Sequence, residues 1–303
     1  MVSDRGTRIA CGAVCSLLVL GSAARAADDV ATAVRATRAP VIDGVIEQNE
    51  WHEATQFEDF VQLEPERGAP ASERTVGFLL YTETHIYIAV YSYDSRPEML
   101  TAQLNNRDDD LTQDDSVTVY LDTFHDRQTC YFFQTNPLAT QTDGRIKDDG
   151  RVRDVTWDAP WEVATRVVAD GWTAEFAIPL RTLQFRAGED RTWGFNLGRT
   201  RRSTLEHSFW AGPLESAFRV SQYGAIGGLE VKGGGKRYDF IPYVQGGWEQ
   251  GGDSSGNTGL DLRYTFRPET TANLTVNPDF AIIEADEEFV NLTRFPVRLE
   301  ERR

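Results

Sequence analysis

The chain has 303 residues, with 47 acidic side chains against 31 basic ones and a formal net charge of −16. Such a polyanion is repelled by nucleic acid, which excludes phosphate-backbone binding. The length allows two domains, and 11% aromatic residues with seven Trp and only two Met favour β-structure over helical packing.

Residues 1–26 read as a secretory signal. Arg5 and Arg8 supply the charged start, Ile9 to Leu20 the apolar stretch, and Ala24-Arg25-Ala26 a small-x-small cleavage site. Cys11 and Cys15 leave with it, so Cys130 stands alone and no internal disulfide is expected in the mature chain. Cys130 sits in the strand-like run TCYFF and reads as a small core residue.

Residues 27–39 look like a leader. From 40 to 231 short strands recur about every ten residues: TVGFLLYT, HIYIAVYSY, SVTVYLD, TCYFFQTN, WEVATRVV, GWTAEFAIP, TWGFNLGRT and EHSFWAG. They are rich in Val, Ile, Tyr, Phe and Thr, with Asp, Gly and Asn in the gaps. Helical turns are expected only at Glu47–Ala54 and Leu180–Leu183. The pattern predicts an all-β chain with a β-sandwich. KGGGKR at 232–237 is the linker.

Residues 238–303 continue with YDFIPYVQGGW, GLDLRYTF and TANLTVN. Leu260, Leu262, Tyr264 and Phe266 share one face, and Asp261, Arg263 and Thr265 the other, a period of two. The expectation is a set of incomplete antiparallel β-barrel strands from a bacterial outer membrane. EQGGDSSGNT reads as a long external loop and RPET as a short periplasmic turn, which puts the sandwich in the periplasm of a Gram-negative cell.

The sandwich resembles the family 9 carbohydrate-binding modules. The resemblance is carried by PVIDGVIEQNEW at 40–51, LYTETHIYIAVYSYDSRP at 80–97, DDSVTVYLDT at 114–123, GWTAEFAIPLRTLQF at 171–185, WGFNLGR at 193–199 and QYGAIGGLE at 222–230. The tail NPDFAIIEADEEFVNLTRFPVRLEERR looks like the start of an outer-membrane barrel family of unassigned function, so the chain reads as the front of something longer. The resemblance implies a sugar gripped between two Trp, but their positions fall at Thr112 and Ala217 here. The family's binding Gln falls at Gly198 and its binding Arg near Phe133. Only Asp94 carries over.

Other residues offer a different platform. Trp157 and Trp161 flank the WDAPW loop, Trp210 stands near Arg199, Arg202 and Glu206, and Arg107 with Asp108 could contact hydroxyls. Each also reads as packing or a solvated turn. For a metal, NNRDDDLTQDD offers Asp108, Asp110, Asp114 and Asp115, and TDGRIKDDG offers Asp143, Asp148 and Asp149. The resemblance implies structural calcium. No catalytic residue stands out: the four His are scattered without an HExxH pair, no G-x-S-x-G elbow occurs, and the acidic residues single out no pair. The expected function is recognition of a polysaccharide or oligosaccharide by an exported domain joined to a barrel, in carbohydrate catabolism. A docking domain of the barrel and a part of a glycoside hydrolase are the alternatives.

Overall fold

The computed structural model describes residues 30–232, 238–248, 254–267 and 270–277. The signal at 1–26 and the tail beyond 277 lie outside the described residues. The chain divides into two compact units, Met1–Gly234 and Gly235–Arg303. The first unit begins with β1 (Val30–Thr32), β2 (Val34–Arg35), α1 (Gln48–Trp51), β3 (Thr55–Phe57), β4 (Val61–Glu64), β5 (Thr75–Tyr81) and β6 (His85–Tyr93). It continues with β7 (Ser116–Asp122), β8 (Cys130–Thr135), β9 (Gln141–Lys147), β10 (Val152–Asp154) and β11 (Glu162–Val168). It ends with β12 (Gly171–Pro179), β13 (Gly188–Arg201), β14 (Glu206–Phe209) and β15 (Gly224–Val231).

Alternating apolar residues build two sheets around one core. The larger runs β1-β15-β13-β7-β8-β9-β10, with β14 on β13 and β4 on β14. The smaller runs β11-β12-β6-β5-β2, with β3 on β5. Period two sends Val117, Val119, Leu121, Phe133, Phe195 and Leu197 of the larger sheet inward. They meet Leu79, Ile88, Val90, Trp172, Phe176 and Ile178 of the smaller one. Phe57 plugs the middle, with ring centroids 4.9 Å from Phe195 and 4.7 Å, edge-on, from Trp210. The expected β-sandwich is present.

The segment before β3 packs on the outer face of the smaller sheet and is held by one carboxylate. Glu175 on β12 is fully buried and accepts from the Gly44 N–H at 2.8 Å, the Asp43 N–H at 3.0 Å and Trp51 Nε1 at 3.0 Å. Gly44 has φ +82°, and a Cβ there would lie 2.9 Å from the Thr165 backbone, so the Asp43-Gly44 turn tolerates only glycine. Trp51 is buried in a core cluster with Leu80, Tyr87 and Ala177.

Two differences from the sequence reading have physical causes. Residues 141–147, read within an acidic run, form β9, because Asp143 turns inward and is satisfied there. β1 and β2 are too short to show a period, yet both pair in parallel, β1 with β15 and β2 with β5.

A buried ionic cluster links the sheets at one end. Arg201 on β13 donates to both oxygens of Asp94, Nε to Oδ2 at 2.8 Å and Nη2 to Oδ1 at 3.0 Å. Arg199, buried beside it, donates to the Tyr93 carbonyl at 2.7 Å and to Thr75 Oγ1 at 3.0 Å, and its Nη2 lies 3.8 Å from Asp94. Burial pushes the Asp94 carboxyl up, but the Arg201 fork and the Arg96 N–H outweigh it and hold the group below the ordinary carboxylate range.

The second unit is an antiparallel sheet of β16 (Tyr238–Trp248), β17 (Ser254–Arg267) and β18 (Thr270–Val276). The register aligns Phe240, Leu262 and Leu274 on one face, with Pro242, Leu260 and Val276 beside them. Val244 is 82% exposed, Phe240 62% and Leu274 58%. Pro242 lies on an edge strand, where a missing N–H is tolerated. The expected loop at 249–258 is shorter than its sequence suggested, since 254–257 pair with 245–248. No closed barrel occurs among the described residues.

Candidate functional site

The outer face of the larger sheet is only partly covered. Tyr120, Cys130, Phe132, Ile146 and Phe209 point outward from β7, β8, β9 and β14 and pack under Leu214, Val220 and Tyr223 of the segment between β14 and β15. Beside that segment a cleft of about 360 Å³ remains open. Its floor follows from register: Thr118 pairs with Gln134 and Gly198, Tyr120 with Phe132, and Gly198 with Phe209. Gly198 supplies depth, because a Cβ there would lie 2.9 Å from the Phe209 ring. Gln134 is fixed by donating to Ser116 Oγ at 3.1 Å. Burial raises the Tyr120 phenol well above its ordinary value, despite a hydrogen bond with Thr118, so it stays a neutral hydroxyl.

The wall formed by 215–218 is anchored before any ligand arrives. Tyr223 donates its hydroxyl to the Ala217 carbonyl at 2.6 Å, and Asp149 accepts from the Ser221 N–H and hydroxyl at 2.8 and 2.9 Å. Gly150, at φ +93°, lets the Phe218 backbone approach so closely that a Cβ would sit 2.5 Å from its carbonyl oxygen. On the other side Arg153 reaches in from β10, which Asp154 pins through Arg145 at 2.9 Å and Lys147 at 3.2 Å. The Arg153 guanidinium carbon lies 5.0 Å from the Phe132 ring centroid and 5.3 Å from that of Phe218. Glu64 and Glu215 stand on the rim, and Glu215 pairs with Arg219 at 3.2 Å. Aromatic edges, hydroxyls, an amide and a guanidinium thus converge on one pre-formed space.

The residues expected to bind ligand lie elsewhere. Asp94 belongs to the buried ionic cluster. Trp210 is only 2% exposed, packed on Phe57 and Phe195, and presents no face to a ligand. Trp157 is half-buried against Tyr131, 4.8 Å between centroids, with the Arg145 guanidinium 5.9 Å from its ring. Trp161 is core, stacked on Phe176 at 5.6 Å and 8°. Arg107 is a strut: Nη2 donates to Asp143 at 2.5 Å, to Asp158 at 2.6 Å and to the Ala159 carbonyl at 3.0 Å. Asp108 lies 3.7 Å from the same guanidinium. None of these six lines the cleft, whereas Thr112, Gly198 and Ala217 all do. Phe132, Phe218 and Arg153 escaped sequence reasoning. Outward alternation along SVTVYLD and CYFFQT was the available signal for the floor residues.

The proposed calcium ligands also have other work. Asp114 accepts from the Gln103 and Leu104 N–H groups, both at 3.0 Å, and from Asn136 Nδ2 at 2.8 Å. Asp115 accepts from the Thr101 N–H at 2.7 Å and Arg202 N–H at 3.3 Å, and Asp110 from the Thr112 N–H at 3.3 Å. Among the described residues the carboxylates that converge are Asp108, Asp143 and Asp158, with ligand atoms within 4.8 Å of one another. Arg107 already supplies the cation there. Asp143 also accepts from Trp161 Nε1 at 3.1 Å and the Ala159 N–H at 2.8 Å, and burial still raises its pKa.

Comparison with protein families matches residues 42–201 to the family described as carbohydrate family 9 binding domain-like. Residues 235–303 match a domain of unknown function (DUF5916). No curated protein matches the chain. Among solved structures, a candidate carbohydrate-binding protein from Bacteroides uniformis is similar with a TM-score of 0.53 at 12% identity, covering 69% of this chain and 100% of that one. That likeness shows the fold. A family 9 carbohydrate-binding module from Caldicellulosiruptor kristjanssonii, in complex with cellotriose, gives a TM-score of 0.48 at 18% identity, covering 68% of this chain and 94% of that one. The same organism's module in complex with glucose gives 0.49 at 17%, covering 68% and 96%.

Proposed function

The chain belongs to the carbohydrate family 9 binding domain-like family, and from that premise we propose that it binds a saccharide in the cleft on the outer face of its larger sheet. The observation that carries this is the cleft itself. Its volume falls in the range of small-molecule sites, roughly 300–1,000 Å³. Aromatic side chains suit the C–H faces of a sugar ring, and hydroxyl, amide and guanidinium groups suit its oxygens. A binding screen of the chain against soluble oligosaccharides tests it. Phe218→Ala is expected to weaken any bound saccharide at least about tenfold, since an aromatic contact with its buried area is worth roughly 1.5–3 kcal/mol. Failure of every saccharide to bind would leave the domain as a docking module for a membrane partner.

The second unit is, in this reading, the opening strands of an outer-membrane barrel, with the saccharide-binding unit in the periplasm. What supports it is the open apolar face of β16, β17 and β18, the longer connection at 249–253 against 268–269, and the signal-like start of the sequence. Such an arrangement suits delivery of saccharides to a pore in carbohydrate catabolism. Fractionation of expressing cells should recover the chain in outer membranes. The saccharide-binding unit should resist added protease until the outer membrane is permeabilised. Recovery as a freely soluble periplasmic protein would refute the membrane part.

A further inference from the structure

We infer that the cleft selects an acidic saccharide, with Arg153 holding a uronate carboxylate; this rests on the saccharide reading above. Arg153 differs from the other arginines around it. Arg145, Arg199, Arg201 and Arg219 each pair with a carboxylate or donate to carbonyls. Arg153 makes ring contacts with Phe132 and Phe218, and no hydrogen bond or ion pair ties its N–H groups among the described residues. A guanidinium has five N–H donors and no acceptor. Two rings hold this one at the mouth of a cleft and leave its fork open, which is the geometry for a planar, bidentate carboxylate.

The cleft's own acids do not fill that role. Glu215, in the wall beside Phe218, is already paired with Arg219 at 3.2 Å. Glu64 comes from β4, at the opposite end of the strand order from β10. The net charge of −16 opposes an anion at long range, but at physiological salt that field is screened beyond about 8 Å. The local pair then decides. Arg199 also lines the cleft, but its guanidinium is committed to the Tyr93 carbonyl and Thr75 Oγ1, and Thr118, Gln134 and Tyr120 serve hydroxyls, so the carboxylate falls to Arg153.

The test uses trisaccharides matched except at C6. A β-1,4-linked glucuronic acid trimer is compared with cellotriose, and an α-1,4-linked galacturonic acid trimer with galactotriose, by calorimetry on the purified chain. One acidic member should bind at least about tenfold more tightly than its neutral partner, the scale of a charge-assisted contact. Arg153→Met keeps the apolar stem between the rings and should erase that preference, bringing the acidic member to the affinity of its neutral partner. Arg153→Lys keeps the charge, loses the fork and should fall between. Equal or tighter binding of the neutral partners overturns the inference while the saccharide reading stands. Preference surviving in Arg153→Met, with an unchanged melting temperature, also overturns it. Binding of none of the four overturns both.

Discussion

Asp94→Ala is expected to destabilise the first unit by about 3 kcal/mol, because it removes the bidentate partner of the buried Arg201 guanidinium and leaves it only Glu73 at 3.5 Å and Ser72 Oγ at 3.3 Å. Arg201 and Asp94 are both buried, and the carboxylate takes two donors from one guanidinium at 2.8 and 3.0 Å. Arg199 loses its nearby counter-charge in the same step. For a domain of this size the melting temperature should fall by roughly 10 °C. Removing the carboxylate and the guanidinium together, as Asp94→Leu with Arg201→Met, should recover part of the loss, since the unpaired charge and not the missing pair carries most of the penalty. Urea denaturation of the three variants measures this. A single variant that melts within a degree or two of the parent would show that water reaches Arg201. The folded-state pKa of Asp94 lies below its unfolded value. Its stabilisation is therefore full above the ordinary carboxylate pKa and is lost as the pH falls through the depressed folded value.

Glu175→Ala should cost about 3 kcal/mol, since it strands two buried donors and a part-buried one, each buried donor worth roughly 1–3 kcal/mol when left unsatisfied. The loss has an address. The Gly44 and Asp43 N–H groups and the Trp51 indole all belong to the segment that covers the smaller sheet. Tryptophan emission should shift to the red as Trp51 is wetted, and proteolysis should begin within residues 36–54 while the sandwich core persists. Glu175→Gln retains one acceptor oxygen and should lie between. If cleavage instead starts in the core strands, Glu175 supports the whole sheet rather than its cover.

These two carboxylates show what was legible in the sequence. GWTAEFAIP displays its period of two plainly, and β12 occupies those residues; so do HIYIAVYSY and SVTVYLD for β6 and β7. The pattern sorts residues into faces, but it does not say which inward acid meets which donor. Glu175 and Asp94 both point into protein, and their partners lie 131 and 107 residues away in sequence. The site was harder for the same reason. Its floor alternates visibly along β7 and β8, yet Arg153 comes from a three-residue strand too short to carry a period. Phe218 comes from a loop that Asp149 and Tyr223 hold from a distance. Conspicuous tryptophans and acidic runs drew the eye, but folding spent them on the core and on backbone N–H groups. The blanks at Thr112, Gly198 and Ala217 marked the cleft better than any residue chosen for its chemistry.

The parallel pairing of β1 with β15 has a mechanical consequence. Val30, Ala31 and Thr32 lie against Ala225, Ile226 and Gly227 in the same direction, and Ala33 adds an N–H to the Gly227 carbonyl at 2.8 Å. The chain therefore enters the domain at one end of this ladder and leaves at the other. Tension between the two ends pulls the strands lengthwise past each other and loads these bonds together, instead of unzipping them one at a time. Residues 30–33 act as a shear clasp that resists force applied between the start of the domain and the chain at Val231.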